Sequence, residues 1–146
     1  MPTVSGFQHF DGPCPIRTAS VVASQAFDDG DVLKLSNAGT ADELTVIGVT
    51  DATTAVYGVF HSTPVAATDS DYASIKDGKE YIKVVKGTEQ LWTANVETGS
   101  ADQTTDVGYE ADLASADGIT LSASTYNIFT VTKVLNSTTV IGYFTT

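Results

Sequence analysis

Turn signals cut this chain into short pieces, and no piece of a dozen residues keeps a helical period. Asp29-Gly30, Asp77-Gly78, Thr98-Gly99, Asp117-Gly118 and Asn136-Ser137 recur along it. Between them lie runs of Thr, Val, Ile, Tyr, Phe and Trp, residues that fit a pleated, half-buried surface and that make up roughly 40% of the chain. Short alternating runs between such turns predict an all-β fold, a small β-barrel or β-sandwich. With 146 residues, the chain is long enough for one domain with its own core.

The strands can be placed from their alternation. Residues 20–27 and 31–36 flank the Asp28-Asp29-Gly30 turn, with Leu33 and Leu35 on one face and Val32 and Lys34 on the other. Residues 44–50 and 55–61 read as a hairpin around Asp51-Ala52-Thr53-Thr54. Gly48 and Gly58 sit inside those strands, and two facing glycines predict a sharply coiled barrel. Residues 62–79 are mostly polar and read either as a plain loop or as a loop in which Ser70 or Asp71 caps one helical turn from Tyr72 to Lys76. Residues 81–86 alternate, as do 91–96 with Trp92, Ala94 and Val96 in phase; 97–106 read as a surface loop. Ile119, Leu121 and Ala123 mark another run. Residues 128–135 and 138–144, joined by Asn136-Ser137, read as a closing hairpin. No internal repeat stands out. The organisation expected is an arm over 1–19 and a single β domain over 20–146.

The arm is set apart by Pro2, Pro13 and Pro15, which fall beside Phe7, His9, Phe10 and Cys14. Proline lacks a backbone donor and suits no central strand, so the segment reads as irregular. It lies either over its own barrel or out on a neighbouring subunit or partner, with Phe7 and Phe10 as apolar anchors.

Charge removes several functions. Eighteen acids face seven bases, for a net charge of −11. A protein that coats nucleic acid needs clustered cations, and so does one that binds anionic lipid; the expectation is no nucleic acid and no membrane partner. The longest apolar runs are about four residues, far below the ~20 that span a bilayer. Disorder fits poorly with 42% apolar residues. Cys14 is the one cysteine, which excludes an internal disulfide and a cysteine metal cluster. The start, Met1-Pro2-Thr3-Val4-Ser5, lacks the charged and apolar regions of a secretory signal. The expected place is therefore a cytosol, or something assembled there.

The search for chemistry yields little. His9 and His61 sit in no recognisable motif, and Cys14 has no neighbouring base to activate it. The nucleophile-elbow, zinc-protease and phosphate-loop patterns are absent. Asp28-Asp29-Gly30-Asp31 offers hard oxygen ligands for calcium but lacks the spaced acids of an EF-hand loop; a turn closed by a carboxylate accounts for the run equally well. The expectation is no enzyme, no cofactor and no metal.

In their order, these segments resemble the small capsid decoration proteins of tailed bacteriophages, also called cement or head-stabilisation proteins. The likeness is carried by Phe27-Asp28-Asp29-Gly30-Asp31-Val32-Leu33, Ile47-Gly48-Val49 and Tyr57-Gly58-Val59-Phe60. It continues through Leu91-Trp92-Thr93-Ala94, Asp106-Val107-Gly108-Tyr109 and the closing hairpin. It covers residues 20–146. The resemblance implies a structural virion protein on the outer face of a mature capsid, made in the host cytoplasm, whose partner is the major capsid protein. It implies a homotrimer, with dimers and monomers also known in such families. The candidate capsid or subunit contacts are Phe7, Phe10, Pro13, Pro15, Ile16 and Arg17. Deleting residues 1–16 is expected to leave the barrel folded and to weaken attachment. Alternatives are a tail-tube or head–tail connector subunit, or a receptor- or carbohydrate-binding module with Trp92 and Tyr109 as an aromatic platform.

Overall fold

The computed structural model describes residues 6–21, 25–35, 43–48, 56–62 and 79–145. Among the described residues the fold is all-β, with no helix. Eleven strands run in order: β1 (Gln8–Asp11), β2 (Ile16–Val21), β3 (Val32–Leu35), β4 (Glu43–Val46), β5 (Gly58–Phe60) and β6 (Lys79–Lys83). They are followed by β7 (Leu91–Thr98), β8 (Glu110–Ser115), β9 (Gly118–Thr120), β10 (Phe129–Asn136) and β11 (Thr139–Phe144). The hairpin β10–β11 and the phase of β7 match the sequence pattern, with Trp92, Ala94 and Val96 all buried.

The first barrel closes in the order β2-β4-β3-β5-β6. Its interior holds Val21, Phe27, Leu33, Leu44, Phe60 and Tyr81. Strands β4 and β5 do not form the hairpin expected from their sequence, because β3 lies between them and pairs with both. Gly48 lies beyond the end of β4, so the two glycines do not face one another; Gly58 is opposite Leu33 and Lys83. The turns expected at Asp51–Thr54, Tyr72–Lys76 and Asp77-Gly78 lie outside the described residues.

The second sheet runs β1-β7-β11-β10-β8-β9, and β9 also pairs back on β7. The pairings therefore close a second ring, β7-β11-β10-β8-β9. The two rings have the same connectivity. Within each, the first and third strands pair in parallel (β2 with β4, β7 with β9) and all other neighbours pair antiparallel.

The registers agree as well. Val21 lies opposite Leu44 as Val96 lies opposite Ile119. Leu35 meets Leu44 as Leu113 meets Ile119. Leu33 meets Gly58 as Ala111 meets Phe129. Phe60 meets Tyr81 as Val131 meets Gly142, and Arg17 meets Tyr81 as Trp92 meets Gly142. Because the side-chain period of a strand is two, one slip anywhere around a ring would break this agreement.

A trace survives in the sequence. Ile16-Arg17-Thr18-Ala19-Ser20-Val21 and Leu91-Trp92-Thr93-Ala94-Asn95-Val96 occupy equivalent places. The chain is thus a tandem pair of like units, which the absence of an obvious sequence repeat concealed. One exchange shows why. Tyr81 lies across Gly58, where any Cβ would collide with its ring; Phe129 lies across Gly142 in the same way. Gly58 is equivalent to Phe129, and Tyr81 to Gly142. Each ring keeps one aromatic over one glycine, with the ends traded.

The rings share a core. Val32, Val59 and Ile82 lie side by side across β3, β5 and β6, on the face opposite the first barrel's interior. They join one cluster with Trp92, Ala94, Leu113, Ile119, Phe129, Val131 and Phe144 of the second ring. The Val32 N–H donates to the Ala116 carbonyl at 2.8 Å, fastening β3 to the β8–β9 turn.

Candidate functional site

The N-terminal segment carries the contacts expected from sequence, and its structure corrects that expectation in part. It is not an irregular arm. Gln8–Asp11 pairs with β7, Ile16–Ala19 with β6, and Ser20 and Val21 with β4. The prolines do not prevent this, because Pro13 and Pro15 stand between the two strands. There each needs to offer only a carbonyl: Pro15 accepts from the Lys83 N–H at 2.8 Å, and Pro13 from Gln90 Nε2 at 3.0 Å.

Phe7 is not an anchor for a partner. It is buried at 1% exposure, and its ring centroid lies 5.6 Å from Phe129 and 5.1 Å from Phe144. Its N–H donates to the Gly30 carbonyl at 2.9 Å. The segment thus fills the second ring and touches the first. Truncation at residue 16 would remove a core aromatic and a strand, so the deletion expected to leave the fold intact would not do so.

Gln90 locks the bend that follows. It is fully buried, and its Oε1 accepts from the Val85 N–H at 2.7 Å and from Trp92 Nε1 at 3.2 Å. Its Nε2 donates to Pro13 and to the Lys83 carbonyl, each at 3.0 Å. Gly12 makes the bend possible: its φ is +87°, and a Cβ there would collide with the Glu89 carbonyl. His9 Nε2 lies 3.0 Å from the Gly12 carbonyl, and its ring stands edge-on to Trp92. Nothing in the sequence marks Gln90, since a glutamine in a polar stretch normally reads as surface.

Most of the remaining candidates are exposed. Phe10, Pro13, Ile16 and Arg17 are exposed and Pro15 is half-buried. Cys14 is exposed as a free thiol. Lys79 and Lys83 of β6 share the face of Arg17 and Tyr81, with Lys79 opposite Ala19 and Lys83 opposite Pro15, while Ile16, opposite Ile82, lies on the other face. Lys83 Nζ lies 4.3 Å from the centroid of Tyr57.

A second group is acidic and sits where the rings meet. Asp31 Oδ2 accepts from the Asp28 N–H at 2.9 Å and the Asp31 N–H returns to the Asp28 carbonyl, so the acidic run is a turn closed by a carboxylate. Burial pushes the Asp31 carboxyl up to about 6, against the hydrogen bond from Asp28, with Asp28, Asp117 and Asp29 adding like charge. Ser115 Oγ lies 2.7 Å from Glu97 Oε1 and 2.6 Å from Asp117 Oδ1. Burial, and then the bond to Asp117, holds Glu97 above the usual range; the bond from Glu97 holds Asp117 below it. The two carboxylates are thus pushed apart in acidity, Glu97 the weaker acid and Asp117 the stronger. His61 Nδ1 stands 3.5 Å from Asp29 Oδ1. Among the described residues, no three His, Cys, Asp or Glu side chains converge on a metal position.

No family model matches the chain, and neither a curated protein nor a solved structure shows significant similarity to it.

Proposed function

We propose that this chain is a structural virion protein that binds the outer surface of a mature phage capsid and holds neighbouring capsomers together. The observation that carries the reading is mechanical. Two like barrels are fused through one core, and the N-terminal segment is strapped across both by Phe7 and Gln90. Such a body resists being pulled apart, which a clamp across a pressurised seam requires. Phe10, Ile16 and Arg17 are exposed along the strapped segment and supply contact surface.

The mechanism is linkage. A protein that binds only the expanded lattice lowers that lattice's free energy by its binding free energy. Many copies act together, so each interface can be modest. The carbohydrate-platform alternative is weakened because Trp92 is fully buried and Tyr109 half-buried. The test is co-sedimentation with empty shells of the particle that carries the chain. Binding to expanded shells and not to unexpanded ones supports the reading; binding to neither overturns it.

A further inference from the structure

The two rings differ at one place that the duplication makes visible. In the second ring, the start of β7 has β11 on one side and β1 on the other, with Gln8 opposite Thr93. The equivalent start of β2 has β6 on one side, while β4 reaches only Ser20 and Val21. Among the described residues, nothing pairs with the other side of residues 16–18. The direction of the free groups follows from register. The Lys83 N–H reaches the Pro15 carbonyl, so Arg17 and Ala19 turn their backbone groups toward β6. Ile16 and Thr18 turn theirs outward. The Ile16 carbonyl is covered by Arg17 Nη1 at 3.2 Å.

The faces of this open edge have opposite chemistry. On one, Val32, Val59, Ile82 and Ile16 lie side by side across four strands. The row runs from full burial at Val32 to 45% exposure at Ile16. On the other face lie Arg17, Lys79 and Lys83. Their equivalents in the second ring are Trp92, Val140 and Phe144, all fully buried, with the Phe7 ring against Phe144 and β1 paired beside Trp92. Where the second ring is sealed by its own chain, the first presents three of the protein's seven bases. None of the three pairs with a described carboxylate.

We propose that the open edge of β2 takes up an extended segment of another protein by strand addition, the segment alternating apolar and acidic residues. Its apolar side chains continue the row that ends at Ile16, and its carboxylates meet Arg17, Lys79 and Lys83. Main-chain bonds to Ile16 and Thr18 hold it, as β1 is held on β7. A second copy of this chain is a poor occupant, because each copy carries −11 and like charges oppose association. Under the capsid reading the segment belongs to a shell subunit; the peptide titration below does not depend on that reading.

The probe is a capped octapeptide of alternating Val and Glu, compared with its Val–Lys counterpart, titrated into the full chain at low salt. The expected result is binding of the Val–Glu peptide about tenfold or more tighter than the Val–Lys peptide, weakening as salt rises. Amide exchange at Ile16 and Thr18 is fast in the free protein and slows on binding. Thr18→Pro removes an outward N–H without touching the β6 pairing and abolishes that protection. Lys79→Glu leaves the backbone intact and lowers the charge of the cationic face from +3 to +1, so the preference for the Val–Glu peptide falls, which keeps the test decisive if the proline variant misfolds. Equal binding of both peptides, slow exchange at Ile16 and Thr18 in the free protein, or sedimentation as a dimer through this edge overturns the proposal. Shell binding that is not weakened by Lys79→Glu also overturns it, while leaving the capsid reading in place.

Discussion

Replacing Phe7 with Ala separates a strap that is part of the core from an arm that serves a partner. Phe7 is fully buried among Phe129 and Phe144. Truncation removes most of its buried apolar surface and leaves a cavity in a cluster that relaxes only partly. Phe→Ala changes at such sites cost about 3–5 kcal/mol, including the loss of edge-on ring contacts of about 0.5–1.5 kcal/mol each. For a chain of this length, each kcal/mol moves the melting temperature by about 2–4 °C, so a drop of about 6–20 °C is expected. Phe10 is the internal control: it is three residues away, 53% exposed, and its truncation should stay within about 0.5 kcal/mol. Urea titrations of the wild type and both variants, followed by the fluorescence of Trp92, give the comparison. A loss below about 1 kcal/mol for Phe7→Ala, or a larger loss for Phe10→Ala, would refute the placement of the strap.

Two further predictions address buried polar groups. Gln90→Leu strands the Val85 and Trp92 donors and the Pro13 and Lys83 acceptors; at about 1–3 kcal/mol for an unsatisfied group, with partial relaxation, the cost is on the order of 4 kcal/mol by urea unfolding. A cost below about 1 kcal/mol would mean that Gln90 is not the lock. For Asp31, the folded-state value of about 6 lies above the unfolded value of about 3.9. The folded state therefore binds the proton more tightly, and its contribution to stability is full below pH ~4 and is lost as pH rises through about 6. Asp31→Asn keeps an acceptor for the Asp28 N–H and removes the buried charge. It should stabilise the protein at pH 7 by about 1–3 kcal/mol after solvent screening, and by almost nothing near pH 4. A variant that is less stable at pH 7, or a difference that ignores pH, contradicts this origin.

How much was legible in the sequence depended on whether the cause was local. The closing hairpin and β7 were legible because one face of each is buried, so alternation is written in the residues themselves. Strand β8 was missed, since Asp112 sits buried among apolar neighbours and breaks the pattern. Its carboxylate accepts the N–H groups of Thr125, Tyr126 and Asn127, more than a dozen residues away. The β4–β5 hairpin was misread because nothing within either strand records that β3 lies between them. The prolines pointed to an irregular arm, yet proline excludes only the donor side of a pairing, and the strands begin beside them. Of the candidate contacts, Phe10, Pro13, Ile16 and Arg17 are exposed and Phe7 is core; an aromatic flanked by polar residues looks the same in either setting. The duplication stayed hidden because rings of the same register can trade an aromatic for a glycine and cations for a buried Trp and Phe.

The proposed role is tested most directly by cryo-electron microscopy of the particle that carries this chain. Copies are expected on the outer shell, each spanning a seam between capsomers, with density for an added strand beside residues 16–18. A shell without such copies, or copies within a tail or connector, would contradict it.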